Sequence, residues 1–582
     1  MRLAAFAVDF DGTLTRDGRL AADVRESIAE VRRRGIKVVL ATGRRLSDLQ
    51  EAAGDVTCFD AIVAENGAVL HVPAREQTTA LAPAPSAAFL EELRRRSINV
   101  VVGLSVVETD AWNAPAVIEA IRSLREPLVV VFNRGRLMVL PPAVAKSTGL
   151  RHALWILRLS IHNTIGIGDA ENDHDLLAAC EVGAAVAWAS APLRGAADEI
   201  IEGEGPSAVA RYLLDAANRP RLAGARLTHH SLLLGREHDG DPVRLGIQGR
   251  TILVTGEPGT GKSWLAGLLC EQLILQAYSL AVIDPEGDYG ALAMMPGVIH
   301  LGGADGLPSA REISRAFQHP GVNVVIDLSK LDHLKKVSYV RGLLQLLNTL
   351  RRQHGLPHKI LLDEAHYFLS DLREPDLIDP ALSGYLLVTY RGSMLAPVVS
   401  AASDTITIAL RETDPAEIES LAAMRPHQAT VTRLADLLAG LQPNEAVLLP
   451  GPDEARGVAR RFELANRVTA HVRHRSKYLD MPVGDTQAFQ FAEPGSPGRR
   501  ARSLREFTGI VSSLPADQLG GFLSRHDFSR WLDDVFRDKA LAERVREIES
   551  RRATINARDV AAAIAQAIRA RYETAPGVPR RA

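Results

Sequence analysis

Two strand-like apolar runs, each breaking off into a polar cluster, constrain this chain more than any other feature. Leu3–Val8 ends in Asp9-Phe10-Asp11-Gly12-Thr13-Leu14, and the acidic theme returns at Gly168-Asp169 and at Asp173. Thr251–Thr255 ends in Gly256-Glu257-Pro258-Gly259-Thr260-Gly261-Lys262-Ser263, and Asp363-Glu364 closes a later run. A polar cluster straight after a buried strand belongs at the carboxyl edge of a parallel sheet, where such sheets place their ligands. Two clusters far apart in sequence therefore predict two α/β sheets, each with its own site. At 582 residues the chain is also too long for one core.

The pattern between these anchors predicts an α/β multidomain chain. In 1–218, runs at Leu3–Val8, Lys37–Ala41, Ala61–Ala64 and Thr164–Gly168 alternate with helical stretches such as Ala21–Arg34, the signature of a parallel sheet covered on both faces. Residues 80–145 read as an inserted lid: a helix (Ala87–Ser97), a strand (Asn99–Val107), a second helix (Ala114–Leu124) and a hairpin (Pro127–Leu140) turning at Asn133-Arg134-Gly135. Polar Asn218–Arg226 separates this block from a second one over 228–468. There strands are expected at Thr251–Thr255, Leu280–Asp284, Asn323–Asp327, Lys359–Asp363 and Pro397–Ala402. Glu493–Gly498 reads as a linker and 500–582 as a small, purely helical domain. In it Phe528, Trp531, Leu532, Val535 and Phe536 form one apolar stripe that packs a core. The final helix, Ala557–Tyr572, has few large apolar residues and is expected to be loosely attached.

Composition excludes several classes. A net charge of −2 offers no general attraction to nucleic acid or to anionic membrane. No run approaches the ~18 apolar residues of a membrane span. The N-terminus enters a strand at once, leaving no room for a signal peptide. Cys58, Cys180 and Cys270 lie far apart in apolar settings and read as buried reduced thiols, so a cytoplasmic location without membrane contact is expected.

Asp9 and Asp11, two residues apart, can act in series. One carboxylate attacks phosphorus while the other handles the leaving-group proton, splitting a difficult hydrolysis into two steps. Asp169 and Asp173 supply hard oxygen ligands suited to Mg2+. Thr42 can donate to a phosphoryl oxygen and Lys146 offers a point charge. The four segments Asp9–Leu14, Ala41-Thr42-Gly43-Arg44, Lys146 and Gly168–Asp173, with Glu65-Asn66-Gly67-Ala68 and Val186-Ala187, resemble the haloacid dehalogenase superfamily, in its branch with a large α/β cap on a Rossmann-like sheet. The resemblance implies a phosphatase with Asp9 as nucleophile and Asp11 as acid/base. Thr42, Gly43, Lys146 and Asn172 would bind phosphate. Asp9, the Asp11 carbonyl and Asp169 would hold Mg2+, with Asp173 supporting the metal from close by. The cap, near 65 residues, is short for that branch; Arg44, Asn66 and the cap face are the candidates for leaving-group contacts, and the expected substrate is a small phosphorylated metabolite resembling a sugar phosphate.

Gly256 to Ser263 fits the P-loop pattern between a strand and a helix. Glycines Gly256, Gly259 and Gly261, with Thr260, let backbone N–H groups wrap a phosphate; Lys262 reaches the β- and γ-phosphates of ATP and Ser263 holds Mg2+. Asp363 would sit on the Mg2+ side and Glu364 would polarise the attacking water. Over roughly 228–465 the chain resembles the HerA and FtsK group of ring-forming, RecA-like ATPases. The matching pieces are Leu233-Leu234-Gly235, Val282–Tyr289, Val325–Ser329, Arg391-Gly392 and Leu438–Val447. The resemblance implies Arg391 as arginine finger or sensor and a homo-hexamer. Where relatives carry Gln after the last core strand, this chain has Ser403-Asp404. Arg473–Lys477 and Arg499–Arg502 are basic and could meet nucleic-acid phosphates, but a solvated linker or strand face is the better reading of each. A polynucleotide end-processing phosphatase/kinase and an ATP-gated regulator with a sugar-phosphate-sensing domain are the alternatives. Asp363-Glu364 and 284–289 disfavour the kinase, which needs a base aimed at a hydroxyl.

Overall fold

In a computed structural model the run Ala5–Asp9 lies in the middle of an eight-stranded sheet, every one of its residues buried. The structure describes residues 2–133, 135–222, 230–370, 377–396, 405–424, 431–449, 459–469, 479, 483, 487–491, 498–536, 538–551 and 556–572. The strand order of this sheet is Glu199–Ile201, Val182–Val186, Thr164–Gly168, Ala5–Asp9, Lys37–Ala41, Ala61–Ala64, Val69–Val72, Gln77–Ala80. Pairing is parallel through Ala61–Ala64 and antiparallel for the last two strands. Continuous apolar runs such as AFAVD and TIGIG suit strands covered on both faces. Register sets the site: Asp9 lies opposite Ala41 and Val8 opposite Ile167, so Asp9, Thr42 and Asp169 emerge at one edge.

The inserted lid is a four-stranded antiparallel sheet, ordered Val101–Val102, Val107–Asp110, Arg136–Leu140, Val129–Asn133, with helices Ala87–Arg95 and Ala114–Leu124 sharing its core. The single strand expected over Asn99–Val107 is instead two short ones. The backbone turns at Gly103–Val106 because three consecutive N–H groups there point away from the ladder, to the Glu65 carboxylate. Arg134, at the tip of the expected hairpin turn, lies outside the described residues.

The second sheet has eleven strands: Pro242–Gly246, Ser231–Arg236, Arg460–Leu464, Glu445–Leu449, Thr405–Ala409, Thr251–Thr255, Tyr385–Thr389, Lys359–Leu362, Leu280–Asp284, Asn323–Asp327, Val298–Gly302. Its central part is parallel. The expected strand Pro397–Ala402 lies outside the described residues. Tyr385–Thr389, not anticipated, is fully buried between the Thr251 strand and the Lys359 strand.

The chain divides into two compact units, Met1–Pro285 with Tyr289–Ala470, and His471–Ala582 with Glu286–Asp288. Both large sheets belong to the first. In the second, helices Leu504–Ser513, Ala516–Ser524, Asp527–Phe536, Lys539–Ser550 and Ala557–Tyr572 surround one core. Ahead of these helices, on either side of the expected linker, Phe489–Phe491 pairs antiparallel with Arg499–Ala501. Phe489 and Phe491 alternate with exposed Gln490, and their rings enter the aromatic cluster of Phe507, Phe522, Phe528 and Trp531. Of the apolar stripe, Phe528, Trp531 and Leu532 are buried and Val535 and Phe536 pack against them. The final helix is not loosely attached, because Val560, Ala561, Ile564 and Ile568 give it a narrow stripe that is fully buried. Glu493–Pro497 and Arg473–Lys477 lie outside the described residues. No helix among the described residues is long and apolar enough to cross a membrane. Cys180 and Cys270 are buried and Cys58 is half-buried; all three are free.

Candidate active sites

The edge of the first sheet gathers three carboxylates around one ammonium. Lys146, at the start of the helix Lys146–Leu157, places Nζ 2.5 Å from Asp9 Oδ1 and 2.6 Å from Asp173 Oδ1. Asp173 also accepts the N–H groups of Asp169 and Ala170, each at 3.1 Å. Ligand oxygens of Asp9, Asp169 and Asp173 lie within 4.8 Å of one another, all buried. Three carboxylates thus gather around one buried ammonium. Burial first, and then the Asp173 charge, push the Asp9 carboxyl up to about 8, against the pull of Lys146. For Lys146, burial works downward, but Asp173 and Asp9 outweigh it and raise the ammonium above its ordinary value. A divalent cation matches this donor set in charge and in its oxygen-only chemistry.

Asp11 stands apart from the ammonium. Its carboxylate takes a bidentate pair of bonds from Arg44, Nε and Nη2 each at 2.7 Å, and Arg44 lies over the Phe10 ring. Thr42 is buried, its Oγ1 accepting the Arg44 N–H at 3.1 Å. Asp9, Asp11, Gly43, Arg44 and Asn172 line a cavity of about 260 Å³ that the cap closes with Glu108, Arg136 and Met138. Arg136 Nε bonds Glu108 at 2.8 Å and Nη1 bonds Asp110 at 2.5 Å. Glu108 and Arg136 were not anticipated by number. They face each other across the cap ladder, directly paired with Met138 and Asp110 respectively, and only that register brings them together. Asn66, a candidate for leaving-group contact, is instead buried in a turn and does not line the cavity.

That turn braces the site. Glu65 and Asn66 both adopt left-handed φ, at 51° and 54°, conformations that need surrounding support. Their N–H groups bond the carbonyls of Arg44 and Thr42. A β-carbon at Gly67 would lie 1.9 Å from the Ala145 carbonyl oxygen, beside Lys146. Meanwhile the buried Glu65 carboxylate receives the N–H groups of Leu104 and Ser105 at 2.9 Å and of Val106 at 3.2 Å. One strained turn thus touches the Thr42 loop, the Lys146 helix and the cap.

In the second sheet, Gly256 and Gly261 hold φ of 144° and 108°, open to glycine alone in practice, and the helix Lys262–Leu275 starts directly after. Thr260 Oγ1 donates to the Glu257 carbonyl, and Ser263 stands in the helix's first turn. Gly259 turns with φ 82°. Lys262 Nζ donates to the carbonyls of Gly256 and Glu257, both at 2.8 Å. Asp363 and Glu364 follow the Lys359–Leu362 strand and are buried. His366, missed in the sequence, lies 3.7 Å from Glu364 and 3.0 Å from Thr389 Oγ1; burial first lowers it to about 4, so its ring is neutral. Arg391 and Lys262 both approach the Tyr390 ring, at 5.4 and 6.0 Å. Glu412, also missed, is buried beside the P-loop and pushed up to about 7, by burial first and also by the Glu257 charge. Ser403-Asp404 lies outside the described residues. Thr389 ends the strand between the P-loop strand and the Asp363 strand.

Comparison with known proteins agrees with both halves. A family model described as haloacid dehalogenase-like hydrolase matches residues 6–103 and 90–213, and one described as the central domain of helicase HerA matches 239–333. The phosphoglycolate phosphatase of Natronomonas pharaonis is 32% identical over 229 residues, 38% of this chain and 98% of the relative. That of Methanothermobacter thermautotrophicus is 27% identical over 224 residues, 36% of this chain and 99% of the relative. Among solved structures, a haloacid dehalogenase-like hydrolase from Bacteroides thetaiotaomicron aligns over 37% of this chain and 100% of its own, at 18% identity and a TM-score of 0.33.

Proposed function

The chain belongs to the haloacid dehalogenase-like hydrolases, and from that premise we propose that its first sheet carries a Mg2+-dependent phosphomonoesterase for a small phosphorylated carboxylic acid such as phosphoglycolate. The observation that carries this reading is the Lys146 ammonium shared by Asp9 and Asp173, with Asp169 alongside. Asp9 attacks phosphorus as the ester P–O bond breaks, and Asp11 protonates the departing alkoxide. Water then attacks the phosphoaspartate; Asp11 takes its proton, and phosphate leaves with Asp9 regenerated. Asp9 and Asp169 would hold Mg2+, which supplies charge neutralisation at the phosphoryl oxygens. Thr42, Gly43 and Asn172 would orient that group, and Lys146 both neutralises it and fixes Asp9 in place. Arg44 holds Asp11 clear of Lys146 by two hydrogen bonds, and Asp11 would have to leave that pair to carry the proton. The small cavity favours a short substrate over the sugar phosphate expected from sequence, and Arg136 would meet a second anionic group by leaving Glu108 or Asp110.

The second sheet would bind and hydrolyse ATP. Lys262 exchanges its carbonyl partners for phosphate oxygens, Ser263 and Asp363 serve Mg2+, and Glu364 polarises water. Arg391 answers charge on the γ-phosphate, in the same chain or across a ring. Release of phosphate from 2-phosphoglycolate and p-nitrophenyl phosphate, with and without Mg2+, tests the first proposal. Undiminished turnover in Asp9→Asn would refute it. ATP turnover of Lys262→Ala tests the second in the same way.

A further inference from the structure

Where the two sheets meet, three histidines are buried or half-buried, and their hydrogen bonds differ in one telling respect. His358 is balanced as a neutral ring: Nδ1 accepts the Ser279 N–H at 2.7 Å, and Nε2–H donates to Asn163 Oδ1 at 3.0 Å. His162 is not balanced. Its Nε2 lies 2.8 Å from the Gln276 carbonyl oxygen and its Nδ1 lies 2.9 Å from Glu181 Oε2. A carbonyl and an ionised carboxylate can only accept. A neutral ring has one hydrogen to give, so the second contact needs a cation between nitrogen and oxygen, either a proton or a metal ion.

Two further observations favour the metal. Glu181 is fully buried, and while Oε2 also takes the Tyr278 hydroxyl at 2.7 Å, Oε1 has no hydrogen-bond partner among the described residues, a costly state for a carboxylate. Finally, His230 Nε2 faces the Cys180 carbonyl at 2.9 Å, and ligand atoms of His162, Glu181 and His230 lie within 4.8 Å of one another. Both imidazoles therefore give Nε2–H to a backbone carbonyl, the arrangement that sets the tautomer and ring orientation of a metal-bound histidine.

We propose that His162, Glu181 and His230 bind a Zn2+ ion that fastens the second sheet to the first. Two imidazole nitrogens and one carboxylate oxygen suit zinc, whereas Mg2+ takes oxygen ligands. His162 and Glu181 belong to the first sheet's connections, and His230 immediately precedes the Ser231–Arg236 strand of the second. The site is separate from both active sites and independent of the functions proposed for them.

Zinc bound to the full chain, measured by plasma mass spectrometry after dialysis against zinc-free buffer containing Mg2+, is the test. Wild type and Asp9→Asn should retain stoichiometric zinc, and the double variant His162→Gln/His230→Gln should retain none. Tyr278→Phe, which removes a bond to a ligand, should weaken zinc affinity by about 10–100-fold. Wild type holding no zinc after growth with added zinc would overturn the proposal and leave a proton between His162 and Glu181. Full zinc content in the double variant would overturn it too. If that variant does not fold, Co2+-loaded wild type decides. Visible d–d bands without thiolate charge transfer support the site, and their absence, or a thiolate band, refutes it.

Discussion

Lys146 and Lys262 are the buried lysines of the two proposed sites, yet they are held in opposite ways. Lys146 is fixed by two buried carboxylates. Lys262 donates to two backbone carbonyls of its own loop. Bonds between ionised partners in a dry pocket are strong, and removing one partner leaves the others stranded. Bonds to neutral carbonyls exchange readily for phosphate oxygens. The first site is thus built into the folding of its sheet, while the proposed second site is a loop whose lysine would trade partners if a phosphate bound.

The largest expected effect separates the two chemistries. Asp9→Asn should lower phosphatase turnover by about 10^4-fold or more and leave ATP turnover unchanged; a parallel loss of both would show the sites to be one machine. Next comes stability. In urea unfolding, Lys146→Met should cost about 3–5 kcal/mol by stranding Asp9 and Asp173, and Lys262→Met under about 1 kcal/mol. Equal costs would break the comparison. Mg2+ at a hundredfold excess over its Kd should raise the unfolding free energy of the first sheet by about 2.7 kcal/mol, reversibly with chelator. Glu65→Gln removes the charge that receives three cap amides, and should lower kcat/KM about tenfold for phosphoglycolate. The loss should be smaller for p-nitrophenyl phosphate, which relies less on the cap; equal losses would mean a fold defect instead.

The smallest effect lies beside the P-loop. Glu412 is raised from its ordinary 4.5 to about 7, so its protonated form suits the fold. Its contribution is whole below 4.5 and fades as pH climbs through about 7. Glu412→Gln should therefore flatten the decline in stability between acidic and alkaline buffer by roughly 1–2 kcal/mol.

The sequence was most legible where a strand ends in chemistry. Asp9, Asp169, Asp173 and Lys146 converge because parallel strands in register deliver their ends to one edge. Gly256 through Ser263 form a turn that only glycines permit. Tyr385–Thr389 carried a readable signal, an apolar run after Gly384, but its place between two other strands is a matter of pairing over long separations. Arg136 and Glu108 meet through cap register, and Glu65 meets the cap through a loop that reads as strand. The Phe489 strand hid beside a proline- and glycine-rich stretch that looks like a tether.

The packing of His162, Tyr278 and His358 into one buried cluster, His358 edge-on to the other two rings, bears on how this gene can be cut. A fragment ending near residue 220 would expose Glu181 and Asn163, both sealed in the whole chain, to bulk water. Such a piece should be sticky and short-lived on its own.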